Sequence, residues 1–315
     1  MSDVEQPLIE LVPNFSEGRR HEVVDRLASS VTAVPRVHLL DRTSDVDHNR
    51  SVLTFAGPPD AATEVMERLV AVAIESIDME HHAGVHPRIG AVDIVPFVPL
   101  TGVSMAETVA LARDFGRRMA ELHGIPVYLY AEAAIRPERV RLADVRAGEY
   151  EGLKAAIVEP DREPDFGPRR MHPTAGAMAV GARGALVAWN LVLDRPDLSL
   201  ARHIARTVRT SGGGLPCLKA LGLALAHSGQ VQVSLNLTDY RTTSMADVYR
   251  AVDAEARRAG AAIAESEIIG LVPRAALADL AVVAPAIAAR HGEQVLEDRL
   301  AARGLPAVGP AKAHP

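Results

Sequence analysis

Runs of hydrophobic residues follow two alternating patterns along this chain. Short β-branched runs predict strands, and longer runs with apolar positions three and four residues apart predict amphipathic helices. In the segment Pro59–Ile77, for example, Val65, Leu69 and Val72 fall on one helical face. In the first half we predict strands at 8–15, 37–41, 51–55, 92–98 and 127–130, and helices at 21–34, 59–77 and 104–123. In the second half we predict strands at 186–193, 230–237 and 263–269, and helices at 200–210, 245–259 and from 274 onward.

The order of these elements predicts the fold class. Each half follows roughly a β-α-β-β-α-β order with an extra helix or two, which indicates an α/β (α+β) protein of two ferredoxin-like sandwiches with mixed sheets. Open α/β sheets fit the same pattern. The segment Pro160–Pro173 contains four prolines and little periodicity, so we place the lobe boundary near it. We therefore expect subdomains at 1–177 and 178–303, followed by a tail at 304–315.

Composition narrows the functional classes. Among the 315 residues 48% are hydrophobic but only 3% are aromatic, so aliphatic side chains must build the core. The net charge is −6 and the basic residues are scattered, which argues against nucleic acid as a partner. A single cysteine permits no internal disulfide. The acidic N-terminus lacks the pattern of a signal peptide, and no run of about 18 apolar residues predicts a membrane span. We expect a cytoplasmic protein.

Several common enzyme motifs are missing from the sequence. No Gly-x-Gly-x-x-Gly follows a strand, and there is no Walker lysine motif, Cys-x-x-Cys or Gly-x-Ser-x-Gly. The run Gly176–Gly184 resembles a phosphate-binding loop only superficially. These absences disfavour dinucleotide redox chemistry, nucleotide hydrolysis and serine acyl transfer.

The densest chemical cluster is the loop 81–88, which holds His81, His82 and His86 between a predicted helix and a predicted strand. Three histidines suggest a metal site, but Gly84 interrupts any helical pairing of the last two. The alternative is one catalytic imidazole next to Pro87, since histidine takes and returns protons near neutral pH. A polar surface loop without function is the third interpretation.

Three further clusters have structural and functional interpretations. The segment 41–50 suits a solvated hairpin turn, or a carboxylate that orients an imidazole with Arg50 binding an anion. In Val-Pro-Asn-Phe-Ser-Glu-Gly, at 12–18, Ser16 is a candidate cap for the next helix, and Asn14 sits at a strand end. Asn190 and Asn236 interrupt apolar strands, so each needs an internal partner or a ligand.

Taken together, these residues resemble the formiminotransferase family. The landmarks occur in order over nearly the whole chain, from about 8 to 279: the 12–18 motif, Asp-His-Asn-Arg at 47–50, His-Pro-Arg-Ile-Gly-Ala-Val-Asp at 86–93, Pro-Val-Tyr-Leu-Tyr at 126–130, Arg-Ala-Gly-Glu-Tyr at 146–150, Pro-Asp-Phe-Gly-Pro at 164–168, Val-Gly-Ala-Arg at 180–183 and Gly-Leu-Val-Pro at 270–273.

The resemblance implies transfer of a formimidoyl group between tetrahydrofolate and L-glutamate, as in histidine degradation. It also implies two ferredoxin-like subdomains with the ligand site between them, and a homodimer. The chain ends too early to contain the cyclodeaminase domain of the fused animal form. Reduced folate is expected as substrate and carrier, with glutamate or another small amine as acceptor and no metal.

The same resemblance supplies the expected site residues. His86 is the expected catalytic histidine, supported by Asp45 or Asp47. The expected substrate and folate contacts are Asn14, Asn49, Arg50, Arg88, Gly167, Pro168, Arg169, Arg170, Met171, His172, Pro173, Thr174, Ala175, Gly176, Arg183, Asn190 and Asn236.

The sequence departs from the family pattern near these positions. Asp41 is followed by Arg42 and Thr43 instead of the Asp-x-Asp of the animal pattern, and Val192 stands where the family usually has a second asparagine. The folate segment lacks the aromatic residue common near its end. These departures leave three alternatives: a different amine acceptor or one-carbon unit, a metal-dependent hydrolase using the three histidines, and a folate-binding protein without catalysis.

Overall fold

The computed structural model describes residues 6–225 and 228–309. The chain forms two compact units, one built on residues up to Arg183 and the other on Gly184–Leu305. Each unit has its own hydrophobic core. Within the described ranges, no helix has both the length and the apolar character needed to cross a bilayer.

The first unit is a mixed sheet with helices on one face. Its elements in chain order are β1 (Leu8–Leu11), β2 (Asn14–Phe15), α1 (His21–Thr32), β3 (His38–Asp45), β4 (Arg50–Gly57), α2 (Pro59–Ser76), β5 (Val92–Thr101), α3 (Met105–His123), β6 (Val127–Ala131), α4 (Leu142–Val145), α5 (Glu149–Ala156) and β7 (Met178–Ala182). Strands β1 and β2 lie between β4 and β5, and β3 pairs with the other side of β4. These pairings are antiparallel, whereas β7 runs parallel to both β5 and β6.

Local sequence explains where several of these elements begin and end. Ser104 and Glu107 form a reciprocal capping box at the start of α3, and Gly124 ends the helix with φ +64°. The single strand expected over 8–15 is interrupted because Pro13 has no N–H to donate to a neighbouring strand. The two halves, β1 and β2, nevertheless pair with the same two neighbours.

Strand β7 was not predicted, and its sequence explains why. It lies between β5 and β6 and consists of small residues, Met-Ala-Val-Gly-Ala, all buried. A Cβ on Gly181 would lie 2.6 Å from the ring of Tyr130, so a cross-strand contact requires glycine there. Since β7 completes the first sheet, the first unit extends past the expected boundary at residue 177 to Arg183.

The second unit has a ferredoxin-like order. Its elements are β8 (Val187–Leu193), α6 (Leu198–Val208), β9 (Leu218–Ala224), β10 (Val231–Leu237), α7 (Met245–Arg258), β11 (Ile263–Ile269), α8 (Arg274–Val283), α9 (Pro285–Arg290) and α10 (Leu296–Ala301). The spatial order is β11-β8-β10-β9, and every pairing is antiparallel. The expected mixed sheet thus occurs in the first unit, while the second has an antiparallel one.

A hydrogen-bonded chain stabilises the core of the second unit. Buried Trp189 donates its indole N–H to the Ser266 hydroxyl at 2.8 Å, which in turn lies 3.0 Å from His291 Nε2. His291 Nδ1 donates to the side-chain oxygen of Gln294 at 2.7 Å. Because a buried polar group without a partner is costly, this directed chain satisfies groups that the surrounding apolar residues cannot.

Candidate active site

Three loops of the first unit converge on a small cavity. They are the end of β2, the turn between β3 and β4, and the segment that follows α2. The cavity has a volume of about 10 Å³, roughly the space of one water molecule. It is lined by Ser16, His48, Asn49, Arg50, His82, His86, Arg88 and Asp93.

Asn49 ties the three loops together. Its side-chain oxygen accepts the Gly18 N–H at 3.0 Å, and its amide group donates to the Ala83 carbonyl at 3.1 Å. The residue adopts φ +46°, a left-handed conformation that asparagine tolerates better than most residues. A Cβ on Gly84 would lie 2.2 Å from the His48 carbonyl, so this close approach needs a glycine. The expected role of Asn49 in ligand contact is therefore joined by a structural one.

Ser16 does not cap the following helix. The N-cap position is Arg20, which makes no side-chain cap, and the carboxylate of Glu17 accepts the backbone N–H groups of Arg19 and Arg20, each at 2.9 Å. The Ser16 hydroxyl instead donates to the Gly90 carbonyl at 2.7 Å. The interpretation of Ser16 as a helix cap was wrong because the acidic side chain next to it reaches those N–H groups first.

The hydrogen bonds of His86 define its tautomer. Nδ1 lies 2.8 Å from the Pro87 carbonyl, which can only accept, so Nδ1 carries the proton. Nε2 lies 2.5 Å from Arg50 Nη1, which can only donate, so Nε2 presents its lone pair. Burial lowers the pKa of His86 well below its usual value, and the charges of Arg50 and Arg146 lower it further. The ring is therefore a neutral imidazole at neutral pH.

His82 and Arg88 form a separate, supporting cluster. His82 Nε2 donates to the Asn49 carbonyl at 2.9 Å, and its Nδ1 accepts from Arg88 Nε at 3.2 Å. The buried Arg88 guanidinium also contacts Glu149 at 3.0 Å and Glu151 at 2.7 Å. Burial, followed by the charge of Arg88, lowers the pKa of His82, with the bond to Asn49 acting in the opposite direction. Arg88 thus attaches α5 to the loop that carries His86.

The three loop histidines do not converge. The His81 side chain is 85% exposed and pairs with Asp78, whereas His82 and His86 bond to different groups. In the part of the chain that the structure describes, no three His, Cys, Asp or Glu side chains are grouped as metal ligands.

The expected folate segment, 167–176, is hydrogen-bonded to the loop that follows His86. Ala91 donates to the Ala175 carbonyl and Ala177 donates to the Ile89 carbonyl, both at 2.9 Å. Within the segment, His172 Nδ1 accepts the Ala175 N–H at 3.0 Å. The segment and the catalytic loop therefore share one backbone framework.

Comparison with known proteins places this geometry in a family. The family model "Formiminotransferase domain, N-terminal subdomain" matches residues 8–183, and the model "Formiminotransferase domain" matches residues 188–295. The chain belongs to the formiminotransferase family.

Named relatives of the same family cover most of the chain. It is 43% identical over 274 residues to a glutamate formimidoyltransferase of Streptococcus pyogenes, covering 87% of this chain and 92% of that one. It is 46% identical over 276 residues to a glutamate formimidoyltransferase of Thermoplasma acidophilum, covering 87% and 91%. The formimidoyltransferase-cyclodeaminase of Rattus norvegicus is 40% identical over 280 residues, which cover 87% of this chain and 52% of that one.

The two carboxylates expected to support the histidine lie on the β3–β4 turn. Asp45 accepts the His48 backbone N–H at 2.6 Å and lies 3.9 Å from His48 Nδ1. The ring centroids of His48 and His86 are 5.8 Å apart. Asp45 is therefore linked to His86 through His48, while Asp47 receives the Val85 N–H on its backbone carbonyl at 3.2 Å.

The remaining expected residues are distributed over both units. Asn14 donates to the Val12 carbonyl at 3.0 Å, and the Arg183 backbone donates to Phe97 at 3.0 Å. Asn190 and Asn236 are in the second unit, where Asn190 donates to Glu267 at 3.0 Å. Asn190 thus has an internal partner, as a core amide requires.

Sequence reasoning did not select His48, Asp93 or Arg146 as site residues. Asp93 accepts the Ile89 N–H at 2.9 Å and forms a buried ion pair with Arg146, whose charge acts on His86. All three belong to motifs that mark the family, at 47–50, 86–93 and 146–150. That shared membership was the available signal.

Proposed function

We propose that this chain transfers a formimidoyl group between tetrahydrofolate and L-glutamate, with His86 as general acid and base. The observation that carries the proposal is the neutral His86 ring, whose Nε2 lone pair faces the cavity group Arg50. The relatives named glutamate formimidoyltransferase support the choice of reaction.

The chemistry requires one group that accepts a proton and later returns it. The glutamate amine loses a proton as its nitrogen attacks the amidine carbon of 5-formimidoyltetrahydrofolate. The bond from that carbon to the folate nitrogen then breaks, and the nitrogen regains a proton. The products are tetrahydrofolate and N-formimidoyl-L-glutamate. A single imidazole held in the neutral form serves both proton transfers.

Other groups have assigned roles in the proposal. The segment 167–176 binds the reduced folate, and Arg50 and Arg183 bind carboxylates because a guanidinium matches their geometry. Asp45 stabilises the protonated ring through His48. Arg88, already bonded to two carboxylates, positions the loop. We further propose that the enzyme is cytoplasmic and homodimeric and takes part in histidine degradation.

The proposed function is tested by direct assay of the purified protein. With 5-formimidoyltetrahydrofolate and glutamate, the wild type should release tetrahydrofolate. His86→Ala should lower kcat by about 10²- to 10⁴-fold, the usual contribution of a general acid or base. His81→Ala is the matched control, since that ring is exposed, and it should retain wild-type rates.

Two results would contradict the proposal. Full activity of His86→Ala would remove the histidine from the mechanism. A wild type that prefers another amine over glutamate in an acceptor panel would replace the acceptor, which the departure at Val192 makes a specific comparison.

A further inference from the structure

The base of the proposed reaction is occupied in this structure. His86 Nε2 is the only ring nitrogen with a lone pair, because Nδ1 donates to the Pro87 carbonyl. That lone pair receives a hydrogen bond from Arg50 Nη1 at 2.5 Å. A guanidinium does not give up its proton at any physiological pH, so it cannot serve as the proton donor of the reaction. The contact must therefore open before His86 can take a proton from a substrate.

The surroundings of the ring determine what can open this contact. Arg50 approaches from the start of β4, His48 from the β3–β4 turn, and Arg146 from the segment before α5. Arg146 is already paired with Asp93, which also accepts the Ile89 N–H. Arg50 is only partly buried, and its guanidinium is the charged group that touches the base.

We infer that Arg50 holds His86 inactive until the α-carboxylate of the amine acceptor replaces the imidazole on the guanidinium. The inference rests on the proposed function and adds a specificity-determining role for Arg50. A carboxylate is the stronger partner for a guanidinium, because a charge-assisted, two-bond pair replaces one bond to a neutral nitrogen. The exchange therefore favours release of Nε2.

The exchange also delivers the nucleophile. In an α-amino acid only one carbon separates the carboxylate from the amine, so a carboxylate bound to Arg50 carries its amine to the region of the freed Nε2. The amine proton then passes to Nε2 as the nitrogen attacks the amidine carbon. Pairing of Arg50 with an anion also offsets the positive charge beside the ring, which raises the pKa of His86 and makes it a better base.

This arrangement selects acceptors by the position of their carboxylate. Glutamate satisfies it, whereas 4-aminobutyrate, which is glutamate without the α-carboxylate, does not. A simple anion-binding role for Arg50 predicts only weaker use of glutamate when the arginine is removed. The release role predicts in addition that acceptors without an α-carboxylate become better substrates, because His86 is no longer held.

The first experiment follows the His86 ring by NMR in the wild-type protein, with its signals assigned by their loss in His86→Gln. Glutarate, the dicarboxylate that lacks the amine, is the probe. Its addition should raise the pKa of His86 in the wild type and leave it unchanged in Arg50→Met, which has no guanidinium to exchange. Arg68→Met is the matched control, since Arg68 is an exposed arginine on α2 and should respond as the wild type.

The second experiment compares kcat/KM for glutamate and 4-aminobutyrate. Arg50→Met should lose about 10- to 100-fold with glutamate, the range for a lost charge-assisted pair, and should gain with 4-aminobutyrate. A glutarate-induced shift in Arg50→Met as large as in the wild type would overturn the inference. No gain with 4-aminobutyrate would also overturn it. If the wild type transfers to no acceptor, the proposed transferase function fails, while the glutarate titration still decides the role of Arg50.

Discussion

A methyl group added at Gly90 gives a sharp test of the framework around the catalytic loop. A Cβ on Gly90 would lie 1.8 Å from the Ala177 carbonyl oxygen and 2.7 Å from that of Ala175. Both neighbours are backbone atoms, so no side chain can rotate away. The adjacent hydrogen bonds, Ala91 to Ala175 and Ala177 to Ile89, are each 2.9 Å long and would have to open. The substitution Gly90→Ala therefore separates the catalytic loop from the segment 167–176.

The size of the effect follows from those contacts. Two broken backbone bonds contribute about 1 kcal/mol each, and the steric displacement adds about 1 kcal/mol or more. We expect Gly90→Ala to lower the free energy of unfolding by about 3 kcal/mol. With a urea m-value of about 3 kcal/mol/M, at the upper end for small proteins, the midpoint should fall by about 1 M. Transferase activity should fall with it, because His86 loses its position.

The assay is urea unfolding followed by far-UV circular dichroism, since the sole tryptophan, Trp189, lies in the second unit. Gly152→Ala is the matched control. Gly152 is inside α5, where an added Cβ meets nothing within 4 Å, so alanine should stabilise by about 0.5–1 kcal/mol. A wild-type midpoint for Gly90→Ala, or equal losses for both variants, would refute the reasoning.

Three further predictions concern separate contacts. Because the pKa of His86 is lowered, the acid limb of kcat/KM for the free enzyme should fall below pH 6.5, and a limb at or above that pH would contradict the assigned environment. His291→Ala should leave the Ser266 hydroxyl without its acceptor and destabilise the second unit by about 1–3 kcal/mol, measured by Trp189 fluorescence in urea; an unchanged midpoint would count against the hydrogen-bonded chain. Arg88→Lys keeps the charge but not the forked geometry, so thermal unfolding should show a loss of about 1–2 kcal/mol, and equal stability would argue against a positioning role.

Much of the fold could be predicted because local patterns and tertiary structure agree there. Segment 104–123 has the serine and glutamate of a capping box at its start and a glycine at its end, and it is a helix. Strands β7 and β9 escaped prediction for the opposite reason. Both contain glycines whose place depends on distant contacts: Gly181 lies against Tyr130, and a Cβ on Gly222 would lie 2.3 Å from the backbone nitrogen of Arg202. Neither strand has the β-branched alternation that sequence reasoning uses.

The site divided in the same way. The choice of His86 from a cluster of three histidines followed from the family motif and from Pro87, and its assignment as the base remains a proposal. The contacts of Arg88 could not be predicted from spacing, because its partners, Glu149 and Glu151, are 61 and 63 residues away. The tautomer of His86 depends on the direction of a single carbonyl group, which no sequence pattern specifies.

The charges around His86 favour an anionic substrate. Two arginines lower the pKa of a group that must accept a proton, which by itself weakens the base. The same positive field attracts carboxylates, and each bound carboxylate offsets part of the charge that holds the ring neutral. The base therefore becomes effective in the complex rather than in the free protein. An amine without a carboxylate would meet the weak form of the base, so the environment of His86 and the choice of acceptor are two consequences of one arrangement of charge.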